Sequence, residues 1–120
     1  MNTLSAIIQV VIALGILNVW LLRFGKPTEW RGGNATNMKE EFRAYGLPEW
    51  SVGVIGVLKV ALALLLLVGV WLPAVTQPAA VGLAILMLGA VAMHVKVKDP
   101  LKKSLPAFSV LVLSLYVAFF

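Results

Sequence analysis

Cysteine is absent from this chain of 120 residues, and histidine occurs only once. Without a thiol, the chain cannot form a disulfide, a thiolate metal site, an iron–sulfur cluster or a thiol relay of its own. A single histidine cannot supply both axial ligands of a bis-histidine haem, and no set of three ligands for a catalytic metal stands out. These absences leave no evident cofactor or metal site, and they argue against redox chemistry carried by this chain alone.

Charged residues are also scarce, at 12% of the chain, whereas 61% of the residues are hydrophobic. Soluble domains are usually about 45–50% apolar, so the composition indicates a single domain in a lipid bilayer. The net charge of +5 does not indicate nucleic-acid binding, because the basic residues lie in connecting segments and not together with aromatics on one face. We therefore expect no nucleic-acid partner.

Long apolar stretches occupy residues of about 3–22, 52–72, 79–95 and 104–120. At about 1.5 Å per residue, each matches a hydrocarbon core of about 30 Å. The sequence predicts an all-α polytopic membrane protein in which one domain, residues 1–120, forms a four-transmembrane-helix bundle. The first stretch has no basic segment before it and no small-x-small cleavage site after it, so we expect it to be retained.

The Lys and Arg residues are distributed on one side only. Nine of the ten lie in the two connecting segments, at positions 23–43 and 96–103, and the tenth is Lys59. Cytoplasmic loops carry an excess of Lys and Arg, so this asymmetry predicts that both basic segments are cytoplasmic. Both termini would then face out of the cell, on the periplasmic side.

The first connecting segment contains its own short helix, predicted at about residues 37–46. Asn37 is a suitable N-cap, and Gly46 is a suitable stop. Apolar side chains recur on one face at helical spacing: Met38, Phe42 and Tyr45. Two placements are open: the amphipathic helix lies on the cytoplasmic membrane surface with Lys39 and Arg43 near lipid phosphates, or it packs on the bundle.

Lys59 is the main candidate for a functional residue, because it lies within the apolar run "IGVLKVALALLLLVGVW". A charge inside a membrane span costs a few kcal/mol and is by default a hypothesis of function. Lys59 lies about 10–12 Å from the cytoplasmic end of its helix, at about 1.5 Å per residue. Other polar residues fall in the same half of the bundle, so we predict a polar pocket formed by Lys59, His94, Asn18, Ser109 and Arg23, with Asp99 and Glu49 as counter-ions.

Structural roles for the same residues remain open. Lys59 can extend toward the cytoplasmic interface and place its ammonium near the headgroups, or form an ion pair between helices. His94 can be an interfacial packing residue, and Asn18 can hydrogen-bond between helices. The four tryptophans are expected to lie at the membrane interfaces. No catalytic residue is predicted, since a base for Ser109 cannot be identified.

Several stretches are typical of one family. They include "EEFRAYGLPEW" before the second span, "IGVLKVALALLLLVGVWLP" across it and "AMHVKVKDP" at the end of the third. On these residues the chain resembles the DoxX-like family of small four-helix integral membrane proteins. The resemblance implies a bacterial inner membrane and links to quinone-coupled oxidation or to larger membrane assemblies. It also implies a glutamate after Ile-Gly-Val-Leu, where this chain has Lys59.

Two functions follow as hypotheses. The first is a binding or accessory subunit of a larger membrane assembly, such as a quinone-linked oxidoreductase, with a quinone or a lipid in its cytoplasmic half. The alternative is a small homo-oligomeric transporter of anionic or hydrophobic compounds, although the outer half of the bundle offers little polarity beyond Gln9 and Ser114. In either case we expect a homo-oligomer or a larger membrane-protein complex, with Gly82 and Gly89 as a packing stripe. Catalysis by this chain alone is not favoured.

Overall fold

The structure, a computed structural model, describes residues 3–26, 28 and 30–120, so Met1, Asn2, Pro27 and Glu29 lie outside the described part. Five α-helices follow one another: α1 (Thr3–Leu17), α2 (Met38–Ala44), α3 (Trp50–Val68), α4 (Thr76–Lys96) and α5 (Leu101–Phe119). A π-helical segment, Asn18–Leu22, continues α1, and a 3₁₀ turn, Pro73–Val75, precedes α4. No strand occurs within these described ranges.

Four of these helical segments are long and apolar enough to cross a membrane. The prediction of an all-α, polytopic four-helix bundle is therefore confirmed, and the chain is a multi-pass membrane protein in contact with the lipid bilayer. Around the bundle, α3 packs between α1 and α4, and α5 packs against both α4 and α1. The centre is filled with almost fully buried apolar residues: Ile12, Ala13, Ala63, Leu66, Ala80 and Leu83.

The helices extend beyond the apolar stretches that mark them in the sequence. The helix predicted from residue 79 begins at Thr76, and the one predicted from residue 104 begins at Leu101. Pro78 is tolerated in α4 because the first turn has N–H groups without intrahelical acceptors. Apolarity therefore indicates the membrane-embedded part of a helix and not its full length.

The two ends of the bundle differ in chemistry. We call the end with Leu22, Trp50, Lys96 and Leu101 the basic end, and the end with Thr3, Val68, Thr76 and Phe119 the terminal end. Inside the terminal end, the fully buried Gln9 donates to the carbonyl of Leu66 at 2.9 Å and lies 3.5 Å from Oγ1 of Thr76. This amide joins α1 to α3 and α4, and it is the main polar tie within that half of the bundle.

The short helix α2 has the caps that its sequence predicts. Oδ1 of Asn37 accepts a hydrogen bond from the backbone N–H of Glu40 at 2.9 Å. At the other end, Gly46 has a φ of +78°, and the N–H of Leu47 reaches the carbonyl of Phe42 at 3.1 Å. This is a Schellman arrangement, which glycine favours because it lacks a Cβ. The predicted apolar face, Met38, Phe42 and Tyr45, is buried, so α2 packs on the bundle.

Candidate functional site

The site is centred on the last turn of the first membrane span. Its residues Asn18–Leu22 form a π-turn, which takes in one more residue than an α-turn and rotates the side chains that follow. As a result Trp20 is buried, and its ring lies so close to α3 that a Cβ added at Gly56 would be 2.8 Å from it. Asn18 is exposed instead.

Lys59 lies beside this indole. Its Nζ is 5.5 Å from the centroid of the Trp20 ring, within the range of a cation–π interaction. The side chain is half-buried, and it makes no ion pair or hydrogen bond with any other residue that the structure describes. The carboxylate of Glu41 lies within electrostatic range. The ammonium therefore has an aromatic neighbour and a nearby opposite charge, but its N–H groups have no protein acceptor.

Glu41 is held in place by Arg31, whose side chain is only 3% exposed. Nη1 of Arg31 lies 3.7 Å from Oε2 of Glu41. The same guanidinium donates to the carbonyls of Lys26 at 2.9 Å and Phe24 at 3.2 Å, and also to that of Arg23. These carbonyls follow the first span, where a helix leaves acceptors unpaired and favours a positive charge. Arg23 thus contributes its carbonyl, while its side chain is exposed.

A second pair of polar side chains lies at the end of α4. Nδ1 of the buried His94 is 2.8 Å from Oδ2 of Asp99. The other oxygen of Asp99 accepts the backbone N–H of Gly33 at 3.0 Å. Tyr45 packs edge-on against the imidazole, with the ring centroids 5.9 Å apart. Burial raises the pKa of the Tyr45 hydroxyl, and the carboxylates of Glu41 and Asp99 raise it further.

Further hydrogen bonds hold the first connecting segment over the basic end. Lys96 donates to the carbonyl of Tyr45 at 2.8 Å, and Lys103 donates to that of Gly33 at 2.5 Å. The N–H of Gly32 reaches Oε1 of Glu41 at 2.8 Å. A side chain at Gly32 would overlap the ring of Tyr45, so glycine is required there. The segment is therefore an ordered cover tied to α4 and α5.

We call Arg31, Glu41, Tyr45, His94 and Asp99 the charged cluster. The predicted residues His94 and Asp99 lie in this cluster, whereas the other three are not among the residues predicted from the sequence. Arg31 was counted only as a topology signal, and Tyr45 only as part of an apolar face. A signal was available, because Glu41 lies on the same face of α2 as Met38 and Phe42. A carboxylate on an otherwise apolar helical face indicates a buried partner.

The other predicted residues lie elsewhere. Ser109 is exposed on α5, as Asn18 is on the first span, and the structure does not bring either beside Lys59. Glu49 is exposed at the start of α3 and makes no ion pair with Lys59. Among the described residues, no three His, Asp or Glu side chains lie close enough to hold a metal ion.

A family model described as the DoxX-like family matches residues 7–119, which is nearly the whole chain. The chain belongs to the DoxX-like family. No curated protein and no solved structure matches it. The matched residues include all or most of each membrane span, and they include the whole site from Trp20 to Asp99. It supports the membrane location and the four-helix architecture, whereas the chemistry of the site rests on the geometry described above.

Proposed function

We propose that this DoxX-like protein is a binding or accessory subunit of a membrane assembly, and that Lys59 recognises a lipophilic ligand at the basic end. The observation that carries this proposal is the ammonium of Lys59, which has no hydrogen-bond acceptor among the described residues. An ammonium carries three N–H donors, and leaving them unpaired away from water costs several kcal/mol. A ligand oxygen at this position would remove that cost.

The surroundings favour a flat ligand with a carbonyl or anionic oxygen, and a quinone fits this description. The Trp20 ring supplies an apolar wall, while Lys59 supplies one polar contact. Ligand sites commonly combine apolar walls with a few placed polar groups. The charged cluster would act indirectly, since Arg31 fixes Glu41 and Glu41 acts on Lys59.

The location and orientation belong to the same proposal. Nine of the ten basic residues lie at the basic end, which supports a cytoplasmic position for that end in a bacterial inner membrane. The Lys59 site would then open toward the cytoplasmic leaflet.

Transport has less support as a function. The terminal half of the bundle is filled by Ile12, Leu66 and Leu83, and Gln9 bonds across it. The predicted glycine stripe is also divided, because a Cβ added at Gly82 would meet Leu62 inside the bundle, whereas one added at Gly89 would meet nothing within 4 Å. Gly89 thus leaves a smooth surface on α4 that suits contact with another membrane helix.

Native mass spectrometry tests the proposal on protein extracted from its own membrane in a mild detergent. Wild type, Lys59→Met and Lys59→Arg are compared, with the exposed Lys98→Met as a matched control. We expect a bound lipophilic molecule or partner protein in wild type, Lys59→Arg and Lys98→Met, and its loss in Lys59→Met. Bare protein in all four samples, or equal retention in all four, would contradict a binding role for Lys59.

A further inference from the structure

A groove at the basic end is distinct from the Lys59 site and from the charged cluster. It has a volume of about 200 Å³ and is lined by Lys39, Phe42, Arg43, Leu47 and Glu49. We call it the α2 groove, because α2 forms one side of it and the start of α3 forms the other. We propose that the α2 groove binds the headgroup of a phospholipid that carries both a phosphate and a primary ammonium, as phosphatidylethanolamine does.

The position of the groove suits a lipid headgroup. Glu49 immediately precedes Trp50, the first residue of the second membrane span, and Trp50 is 71% exposed. Exposed tryptophans settle at the depth of the headgroups, where the indole has an apolar body and a polar N–H. The groove therefore opens at the boundary between the hydrocarbon and the water.

The two cations are arranged for a phosphate. Lys39 and Arg43 are four residues apart in α2, so their side chains lie on one side of the helix. Both are exposed, and neither makes an ion pair or a side-chain hydrogen bond with another described residue. Like charges at this spacing repel each other, and an anion between them relieves the repulsion. A phosphodiester accepts charge-assisted hydrogen bonds from both.

The carboxylate decides which headgroup fits. Glu49 is the N-cap residue of α3, yet its side chain makes no capping hydrogen bond, and within the described residues it has no ion-pair partner. A purely anionic headgroup would bring a second negative charge into the groove beside it. A primary ammonium instead donates N–H groups to Glu49, which the quaternary ammonium of phosphatidylcholine cannot do. The signs of the three side chains thus match a phosphate joined to an ammonium.

Size limits the contact to the headgroup. Pockets for drug-sized ligands are usually about 300–1,000 Å³, and the α2 groove is smaller than that range. Phe42 is buried as the floor and Leu47 is half-buried beside it, so the base of the groove is apolar. The acyl chains would remain in the bilayer along the start of α3.

Native mass spectrometry of the full chain in detergent micelles tests this inference with three added phospholipids of identical acyl chains. Phosphatidylethanolamine, phosphatidylglycerol and phosphatidylcholine are titrated in turn, and the lipid-bound fraction is measured. We expect wild type to retain phosphatidylethanolamine best. Glu49→Gln should lower that retention roughly two- to fivefold, the range of a single exposed ion pair, without weakening phosphatidylglycerol. The Lys39→Ala/Arg43→Ala double variant should lose its retention of all three lipids.

The matched control is a Lys26→Ala/Lys98→Ala double variant, which removes the same charge from exposed positions outside the groove. It should retain phosphatidylethanolamine as wild type does. An equal loss in the control would overturn the inference, since it would reflect net charge alone. Wild type that holds phosphatidylglycerol or phosphatidylcholine as strongly as phosphatidylethanolamine would also overturn it. That ranking needs no variant and therefore does not depend on how the variants fold.

Discussion

At the basic end, the position of one side chain depends on another. Arg31 lies between the carbonyls that follow the first span and the carboxylate of Glu41, so it satisfies acceptors on one side and places a negative charge on the other. A buried charge without partners is costly, whereas one with several hydrogen bonds is tolerated and fixes a local conformation. The position of the Glu41 carboxylate, whose charge acts on Lys59, therefore depends on Arg31.

Tyr45 provides a pH dependence at the residue scale. Its pKa is raised above the ordinary value, first by burial and then by Glu41 and Asp99, while Arg31 opposes the shift. The neutral hydroxyl thus contributes stability that is fully present below the unfolded pKa of about 10 and is lost as the pH rises above it. Above that pH the unfolded chain releases the tyrosine proton and the folded chain keeps it.

We predict that Tyr45→Phe removes this component of the pH dependence. The free energy of unfolding is measured in mixed micelles at pH 8 and pH 11 for both proteins. The advantage of wild type over the variant should shrink by about 1 kcal/mol between the two values, because one proton is worth about 1.4 kcal/mol per pH unit. Lysines titrate in both proteins and cancel in the comparison. An advantage that is the same at both pH values would show that Tyr45 ionises as readily in the folded chain.

At the scale of elements, the fit between the first span and α3 depends on Gly56 and not on Gly53, which lies three residues before it. A Cβ added at Gly56 would lie 2.8 Å from Cζ3 of Trp20, whereas one added at Gly53 would meet nothing within 4 Å. The same substitution therefore has opposite consequences at the two positions. Gly56 is where the π-turn of the first span brings an indole against the backbone of α3.

We predict that Gly56→Ala lowers the free energy of unfolding by about 1–3 kcal/mol, the usual cost of inserting a methyl group into a filled contact. Gly53→Ala should leave it unchanged or raise it by up to about 1 kcal/mol, since alanine is the better helix former. Both are measured by unfolding in mixed micelles. Equal effects at the two positions would mean that Trp20 does not pack against α3.

Features set by residues close together in the sequence were predicted, whereas contacts between distant residues were not. The caps of α2 and the apolar spans are local, and they were predicted from residues a few positions apart. Lys59 and His94 were predicted as candidates for the same reason, because a charge or an imidazole in an apolar run is itself a local signal. The contact of Glu41 with Arg31 joins two residues that are far apart within the first connecting segment, and that of Tyr45 with His94 joins this segment to α4. No periodicity encodes them.

Regular helical periodicity does not predict the position of Trp20. All four tryptophans are predicted at the depth of the membrane interfaces; Trp50 and Trp71 are largely exposed, whereas Trp20 is buried against α3. The first span ends in a π-turn, which departs from the rotation of a regular α-helix. The indole of Trp20, and not the exposed amide of Asn18, lies beside Lys59.

At the scale of the whole molecule, the side of the membrane that the basic end faces decides which leaflet its two proposed sites meet. The proposed ligand site and the α2 groove both open at that end. Moving it across the membrane would carry nine Lys and Arg residues with it, which is what the positive-inside bias opposes. The absence of cysteine from the chain makes the orientation directly measurable, because wild type gives no background with a thiol reagent.

We predict that Ala74→Cys, in the exposed turn before α4, reacts with a membrane-impermeant maleimide in intact cells. Lys98→Cys, in the exposed turn after α4, should react only in inverted membrane vesicles or after the cells are opened. The two positions lie at opposite ends of the same helix, so each serves as the control for the other. The reverse pattern, or labelling of both positions in intact cells, would contradict a cytoplasmic basic end. The Lys59 site would then have to draw its ligand from the outer leaflet.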